Sequence, residues 1–313
     1  VKTTAMVLMV IGSAAAFGWL LAYLPVPPTV VEYLKSISEN PIVMILLINI
    51  SLLILGTFMD MSPLIVITTP ILRMGDMLKI KAQTDTPWDR FDCLYSPVYD
   101  DAAANEAALV EACDKVGEEV VAFARDKGGI AILTDRHISK ANAAIPMTLV
   151  VSAVNQRLIE EGLRFKVSLV AESGQIASSH HIAVALGFGA AAVYPLGVRM
   201  RAEELFGEGA TEAFHKFQKA SEKALMKTMG KVGLCTVESY SGGEFFEPNF
   251  LDTNDPVFAK YFPNMKTPVG GVRFDTIAQS VADWHKRALE VETDSDIPML
   301  GLFKERAEGA GHS

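Results

Sequence analysis

The chain has 313 residues, of which 28 are basic and 37 acidic, so its formal net charge at pH 7 is −9. This acidic balance argues against a nucleic-acid-binding surface, which needs clustered Lys and Arg. The three cysteines lie far apart and form no CxxC pair. Their spacing argues against a cysteine metal site or a disulfide framework and favours a reduced, cytoplasmic setting for the soluble part of the chain.

The first seventy residues are almost uncharged and contain two long apolar runs. One run covers residues 5–28 and the other covers residues 41–59, and as helices both are long enough to cross a membrane. A third run of 12 residues follows Asp60 and suits a re-entrant segment, because it is too short to span. The pattern predicts two hydrophobic, transmembrane-like helices, and residues 1–72 are therefore expected to place the chain at a membrane.

Beyond residue 90, short apolar runs alternate with helical segments that carry capping residues. This alternation predicts an α/β fold in which crossover helices join mainly parallel strands. The runs IAIL and VSLV show no polar alternation, so both faces of the sheet should be covered. A doubly wound sheet and a partial (β/α) barrel both fit the pattern. The predicted strands lie near residues 91–95, 130–134, 166–171, 191–194 and 234–237.

Three kinds of signal predict the helices, namely Asp, Ser or Gly at the start, Gly at the end, and apolar residues at helical spacing. They cover residues 100–129, 143–162, 178–189, 209–233 and 274–292. In the second of these helices, the apolar positions predict a buried face made of Met147, Val150, Val151, Val154 and Leu158. The same spacing predicts that Gln156, Arg157 and Glu160 are exposed.

Polar residues follow two of the predicted strands, where α/β proteins place their ligands. Asp135 and Arg136 follow the strand near 130–134, and Glu172 and Ser173 follow the strand near 166–171. These residues are candidates for facing a ligand, although a carboxylate at such a position also caps helices and pairs with bases. His180 and His181 are adjacent, so on a helix they point about 100° apart and cannot share one metal. No motif predicts a catalytic, cofactor-binding or metal-binding residue.

The N-terminal motif LLINISLLILGTFMDMSPLIVITTPIL resembles the large membrane subunit of tripartite ATP-independent periplasmic (TRAP) transporters. The resemblance implies a piece of a sodium-coupled importer of small carboxylates, in which broken helices and a carboxylate hold an ion near the middle of the membrane. Two transmembrane helices and part of a third are too few to build the alternating-access path of a transporter. The residues that match the motif are Asn49, Gly56, Phe58, Met59, Asp60, Pro63 and Pro70.

Several later motifs, including GIAILTDR, KVSLVAESG and HHIAVALGFGAAAVYP, occur in the order found in the central domain of the glutamate synthase large subunit. The resemblance implies an enzyme that makes two glutamates from glutamine and 2-oxoglutarate. It also implies partner domains, a glutaminase before this one and an FMN barrel with an iron–sulfur cluster after it. In that family the central domain joins its partners and is not known for a catalytic step, so no cofactor is expected in this chain.

One loop departs from the glutamate synthase pattern. The chain has SYSGGE at residues 239–244, where the family often has Ser-Tyr-Arg-Gly-Ala-Gln, so the loop loses a cation and gains a carboxylate. Ser239 and Tyr240 are further candidates for facing a ligand by this resemblance. The family's glutaminase also uses an N-terminal Cys, and Val1 stands at that end of this chain.

Both resemblances include the stretch TTPIL at residues 68–72. The chain is therefore expected to be a fusion, with a TRAP transporter fragment at residues 1–72 and a glutamate synthase central domain at residues 73–313. The alternative is a transporter fragment that carries a soluble passenger. On either interpretation, the membrane is the expected partner of residues 1–72 and nucleic acid is not a partner.

Overall fold

The computed structural model describes residues 70–82 and 84–292, together with the backbone of residues 303–306 and 309–312. All of these residues belong to one compact unit, Ile65–Ser313. Within this described part of the chain, no helix is both long enough and apolar enough to cross a membrane. The two predicted transmembrane-like helices lie outside the described residues, as do the transporter-motif positions Asn49, Gly56, Asp60 and Pro63.

The described elements alternate between strands and helices over most of this length. The strands are β1 (Trp88–Asp92), β2 (Leu94–Tyr95), β3 (Gly129–Thr134), β4 (Ala143–Ala144), β5 (Val167–Ser173), β6 (Ala192–Pro195), β7 (Phe303–Arg306) and β8 (Gly309–His312). The α-helices are α1 (Met74–Ala82), α2 (Ala102–Asp126), α3 (Met147–Glu160), α4 (Ser179–Gly187), α5 (Leu196–Phe206), α6 (Ala210–Lys231), α7 (Val237–Tyr240), α8 (Pro256–Tyr261) and α9 (Phe274–Leu289).

Four strands form one parallel sheet in the order β1-β3-β5-β6. Helices α2, α3 and α4 make the three crossovers between them. The strands follow one another across the sheet without the reversal that defines a doubly wound fold. Strands added one after another in a single direction are typical of a (β/α) barrel. Of the two predicted arrangements, the observed strand order is that of the partial barrel.

Both faces of the sheet are covered, as the apolar strands predicted. Leu133, Leu169 and Val193 point to one face and share the main core cluster with buried residues of the three crossover helices. Ile132, Val170 and Tyr194 point to the opposite face, where Met77 of α1 and Phe214 of α6 pack on them. Alternate residues of each strand therefore belong to different clusters. In a closed barrel, the face that carries Ile132, Val170 and Tyr194 would line the interior.

The described chain begins on the edge of this sheet. Ile71 forms a parallel bridge with Val193 of β6 and is almost fully buried. The backbone N–H of Val193 donates to Pro70 O at 2.6 Å, and the N–H of Leu72 donates to Val193 O at 2.8 Å. Pro70 to Leu72 are therefore paired with the last strand of the sheet.

One of the predicted strands is wrong, and another is right only in part. The fifth, near residues 234–237, is not a strand, because Leu234 donates its backbone N–H to Met229 O in the turn that ends α6, and Thr236 then caps the short helix α7. The first, near residues 91–95, is divided between two sheets. Residues up to Asp92 belong to the parallel sheet, whereas β2 pairs antiparallel with β4.

Helix α3 confirms the predicted buried face and corrects one residue. Its five predicted core residues are buried, and Arg157 and Glu160 are exposed. Gln156 was expected to be exposed, but it is buried because the loop after α7 covers it. Its amide Nε2 donates to Glu244 Oε1 at 2.8 Å. Helices α1 and α5 were not predicted because they bury too few residues to show a helical pattern, one in α1 and two in α5.

Candidate functional site

Glu172 is a buried carboxylate near the carboxyl end of β5, and its side chain is only 1% exposed. In the sheet it lies level with Thr134 of β3 and Tyr194 of β6, so its side chain points to the face covered by α1 and α6. Burial of a charged carboxylate needs charged or hydrogen-bonding partners. The strands and α1 supply those partners on this face.

Two arginines flank the Glu172 carboxylate. Arg136 Nη2 donates to Glu172 Oε1 at 2.6 Å, and Arg90 Nε lies 3.4 Å from Glu172 Oε2. Arg90 comes from β1, two strands away from β5, and is level with Ile132, so it points to the same face. Arg136 follows the end of β3. The sheet register therefore brings together three residues that are far apart in the sequence.

Lys81, near the end of α1, adds a third cation to this group. Burial lowers the pKa of Lys81, and repulsion from Arg90 and Arg136 lowers it further, whereas Glu172 opposes the shift. We call Lys81, Arg90, Arg136 and Glu172 the Glu172 cluster. It contains three basic side chains and one carboxylate. Three of its atoms, Arg90 Nε, Arg90 Nη2 and Glu172 Oε2, are buried without a hydrogen-bond partner among the described residues.

Asp135 lies at the same edge of the sheet but in a separate network. One of its oxygens accepts from the Gly174 N–H at 2.9 Å, and the other accepts from Ser173 Oγ at 2.5 Å and from Gln175 Nε2 at 3.2 Å. Gln175 continues the network to the start of α3, since its Nε2 donates to Ile145 O and its Oε1 accepts from Met147 N. These bonds connect the ends of β3 and β5 to the helix between them.

Ser239 and Tyr240 lie elsewhere in the domain. The loop after them is bound to the end of α4, where Gly242 N donates to Leu186 O, and Ser241 Oγ donates to Ala190 O just before β6 begins. That position is at the amino edge of the sheet, whereas Glu172 and Asp135 lie toward the carboxyl edge. The Ser239 backbone N–H and side-chain Oγ both bond Thr236 Oγ1, and Tyr240 is buried against Phe245.

The predicted candidates therefore separate into three places. Arg136 and Glu172 contact each other, Asp135 and Ser173 contact each other, and Ser239 and Tyr240 lie at the opposite edge of the sheet. Sequence reasoning missed Arg90 and Lys81, because neither follows a strand in a ligand-type motif. The only local signal for Arg90 is its alternation with the buried Phe91, which places it on the other face of β1. Among the described residues, no His, Cys, Asp and Glu side chains cluster in a way that could hold a metal.

Two family models match the chain. The model described as glutamate synthase central domain matches residues 52–250. The model described as tripartite ATP-independent periplasmic transporter, DctM component, matches residues 1–74. The two matches overlap in the stretch that both sequence resemblances shared.

Curated relatives support the longer match. The chain is 32% identical to the glutamate synthase [NADPH] large chain of Bacillus subtilis over 59% of its own length and 12% of that relative. It is 31% identical to the protein of the same name from Azospirillum brasilense over 66% of its own length and 14% of that relative. It is 29% identical to the ferredoxin-dependent glutamate synthase of Cyanidium caldarium over 79% of its own length and 17% of that relative. The chain therefore spans less than a fifth of these relatives.

Among solved structures, a mutant flavocytochrome b2 with benzoylformate is similar at 16% identity and a TM-score of 0.36, covering 75% of this chain and 46% of that one. A similarity of this size indicates neither a common fold nor a common function. The long family match and the relatives agree with the order of motifs in the sequence. The chain belongs to the glutamate synthase central domain family.

Proposed function

We propose that residues 73–313 act as the non-catalytic central domain of a glutamate synthase, which forms two glutamates from glutamine and 2-oxoglutarate. The observation that carries this proposal is the family match over residues 52–250, together with curated relatives that are all glutamate synthases. In the complete enzyme the partners of this domain are a glutaminase domain and an FMN domain with an iron–sulfur cluster. The domain joins these two parts.

The polar residues at the carboxyl edge support a linking role rather than a catalytic one. The Asp135 carboxylate is almost fully buried and accepts three hydrogen bonds, one from the last residue of β5 and two from the loop after it. Ser173 Oγ donates to Asp135, so it has no histidine base of the kind that activates a serine nucleophile. These side chains stabilise the ends of β3 and β5, and the chemistry of the enzyme is assigned to its other domains.

The cysteines of this chain do not fit the iron–sulfur cluster of the complete enzyme. An iron–sulfur cluster is held by several cysteine thiolates close together, whereas the three cysteines of the chain are widely spaced and two of them, Cys93 and Cys113, are buried in the apolar core.

We further propose that the chain is a fusion. The DctM match over residues 1–74 supports a transporter-derived segment that holds residues 1–72 at a membrane, with the central domain on the cytoplasmic side. A fragment of a TRAP transporter with a soluble passenger is the second candidate function, favoured by the motif at Asn49, Gly56, Asp60 and Pro63. The central-domain function ranks first because its family match is the longer one.

A domain replacement tests the first proposal. The matching part of the Bacillus subtilis large chain is exchanged for residues 68–292 of this chain, and glutamate formation is measured with glutamine, 2-oxoglutarate and a reductant. Ammonia in place of glutamine is the control, because it reports on the reducing part alone. We expect glutamate from both nitrogen sources in the exchanged enzyme and none from the present chain by itself. Loss of only the glutamine-dependent reaction, or glutamate made by the isolated chain, would contradict the proposal.

Sequencing of the source DNA across residues 50–90 tests the fusion. A continuous reading frame from the transporter motif into the central domain supports it. A frame that continues upstream into a glutaminase domain contradicts it. Membrane fractionation of cells that express the chain then tests the proposed location of residues 1–72.

A further inference from the structure

We propose that the Glu172 cluster binds a small dianion, either a dicarboxylate or a phosphate. This inference does not depend on the role of the domain in glutamate synthesis. Its first support is the balance of charge. Arg90 and Arg136 flank one carboxylate, and Lys81 lies near enough to interact with all three groups electrostatically, so the cluster carries an excess of two positive charges. Like charges held together in a partly buried site repel one another, and a bound dianion would offset that repulsion.

The second support is the state of the Arg90 guanidinium. Its Nε and Nη2 atoms form one edge of the planar group, and this edge binds two oxygens of a carboxylate or phosphate side by side. Both atoms are buried, yet neither has a hydrogen-bond partner among the described residues. The nearest acceptor, Glu172 Oε2, lies 3.4 Å from Nε and is also without a hydrogen bond. One carboxylate is therefore shared between two arginines and satisfies only Arg136.

The third support is the position of the cluster. It lies toward the carboxyl edge of four parallel strands, on the face that lines a barrel interior, and α/β proteins bind their ligands at this edge. The side chains of Arg90 and Arg136 are 26% and 35% exposed, so the cluster borders solvent, while the Nε and Nη2 atoms of Arg90 are covered in the free protein. Other carboxylates at this edge are engaged elsewhere. Asp92 binds His137, and Asp135 binds the loop after β5.

Glu172 is then an internal competitor for the arginines. In the absence of a ligand it holds them in place, and a bound dianion provides the further oxygens that Arg90 lacks. Replacement of Glu172 by Gln should have two opposite effects. It should lower the stability of the free protein, because the arginines lose their carboxylate, and it should strengthen anion binding, because the competing charge is gone.

The experiment measures thermal unfolding and direct binding for the full chain in a non-ionic detergent. The probes are 2-oxoglutarate, succinate and inorganic phosphate, each titrated at constant ionic strength with NaCl as the reference salt. Ligand that binds the folded state raises the melting temperature in a saturable way. We expect saturation by at least one dianion and not by NaCl. Comparison of the two dicarboxylates with phosphate shows which kind of dianion the site prefers.

Four variants test the assignment. We expect Arg90→Gln and Lys81→Gln to weaken binding about tenfold or more, since the first removes the guanidinium edge proposed to hold the anion and the second removes a nearby positive charge. We expect Glu172→Gln to melt at a lower temperature than the natural chain without anion and to gain more from added anion. Arg125→Gln is the matched control, because Arg125 is an exposed arginine of α2 that pairs with Glu161 away from the cluster.

The outcomes separate a ligand site from an internal ion pair. Saturable binding that is weakened in Lys81→Gln and unchanged in Arg125→Gln supports the proposal. The absence of saturation with all three dianions would overturn it, as would equal affinities in the Lys81 and Arg125 variants. Lys81→Gln and Glu172→Gln give an answer even when Arg90→Gln does not fold, because Lys81 makes no hydrogen bond in the core of the sheet.

Discussion

Replacement of Asp135 by Ala tests whether the carboxyl edge of the sheet depends on its buried carboxylate. Asp135 accepts hydrogen bonds from Ser173 Oγ, Gly174 N and Gln175 Nε2 at 2.5, 2.9 and 3.2 Å. Alanine accepts none of them. A partly or fully buried donor left without an acceptor costs about 1–3 kcal/mol, and some of these donors regain water. We therefore expect Asp135→Ala to lower the free energy of unfolding by about 3–5 kcal/mol.

That loss is a large share of the roughly 5–15 kcal/mol that holds an ordinary domain folded. The variant Asp135→Asn should be intermediate in stability. The Asn carbonyl oxygen still accepts one or two of the three hydrogen bonds, whereas its amide group faces the Gln175 amide donor and cannot accept from it. We expect Asp135→Asn to cost about half as much as Asp135→Ala. Urea unfolding followed by circular dichroism, on a chain that begins at Thr68, gives the free energies from the midpoints and slopes.

Asp92→Ala is the matched control at the same edge of the sheet. The Asp92 side chain is 50% exposed and binds His137, which is 54% exposed. An exposed pair of this kind contributes at most about 1 kcal/mol. If Asp135→Ala unfolds at the same urea concentration as Asp92→Ala, the network does not hold the loop after β5, and our structural interpretation of Asp135 is wrong.

Three further predictions concern the core, the start of the domain and the cysteines. Val154→Asp buries an unpaired charge in α3 and should lower the free energy of unfolding by about 3 kcal/mol or more. Ile159 is an exposed residue of the same helix, so Ile159→Asp should have little effect. Equal urea midpoints for the two variants would show that the predicted buried face of the helix is wrong. A chain that begins at Arg73 lacks the buried Ile71 and its pairing with β6, so it should be about 2–4 kcal/mol less stable than one that begins five residues earlier. In the native protein, only the exposed Cys235 should react with a thiol reagent at pH 8. Burial raises the pKa of the Cys93 and Cys113 thiols and keeps them from reacting. Rapid reaction of all three cysteines before unfolding would contradict this prediction.

The elements that depend on local rules could be predicted from the sequence. Helix α2 begins where Asp101 suggested, and the Asp101 side chain accepts from Ala103 N and Ala104 N at 3.0 Å each. It ends before Gly128, whose φ of +67° is the left-handed conformation that glycine adopts most easily. Four of the five predicted strands are present, one of them divided in two, because short apolar runs between capped helices are typical of buried parallel strands.

The errors occurred where a distant part of the chain decides the environment. Gln156 occupies an exposed position by helical spacing, but Glu244 and its loop cover it. The run LCTV has the composition of a strand, but the turn after α6 uses the Leu234 N–H, and Pro70 to Leu72 already pair with the outer side of β6. Propensity describes a segment alone, whereas burial depends on what packs against it.

For the candidate site, the sequence by itself determined that Asp135, Arg136, Glu172 and Ser173 would stand at the ends of parallel strands. Only the tertiary structure decided their roles. The register of β1, β3 and β5 brings Arg90 and Arg136 to Glu172, and α1 adds Lys81. The loop after β5 folds back on Asp135 instead. Two carboxylates with the same local pattern therefore differ in their contacts, because charge and hydrogen bonding depend on neighbours in space, and the spacing of residues along the chain does not specify those neighbours.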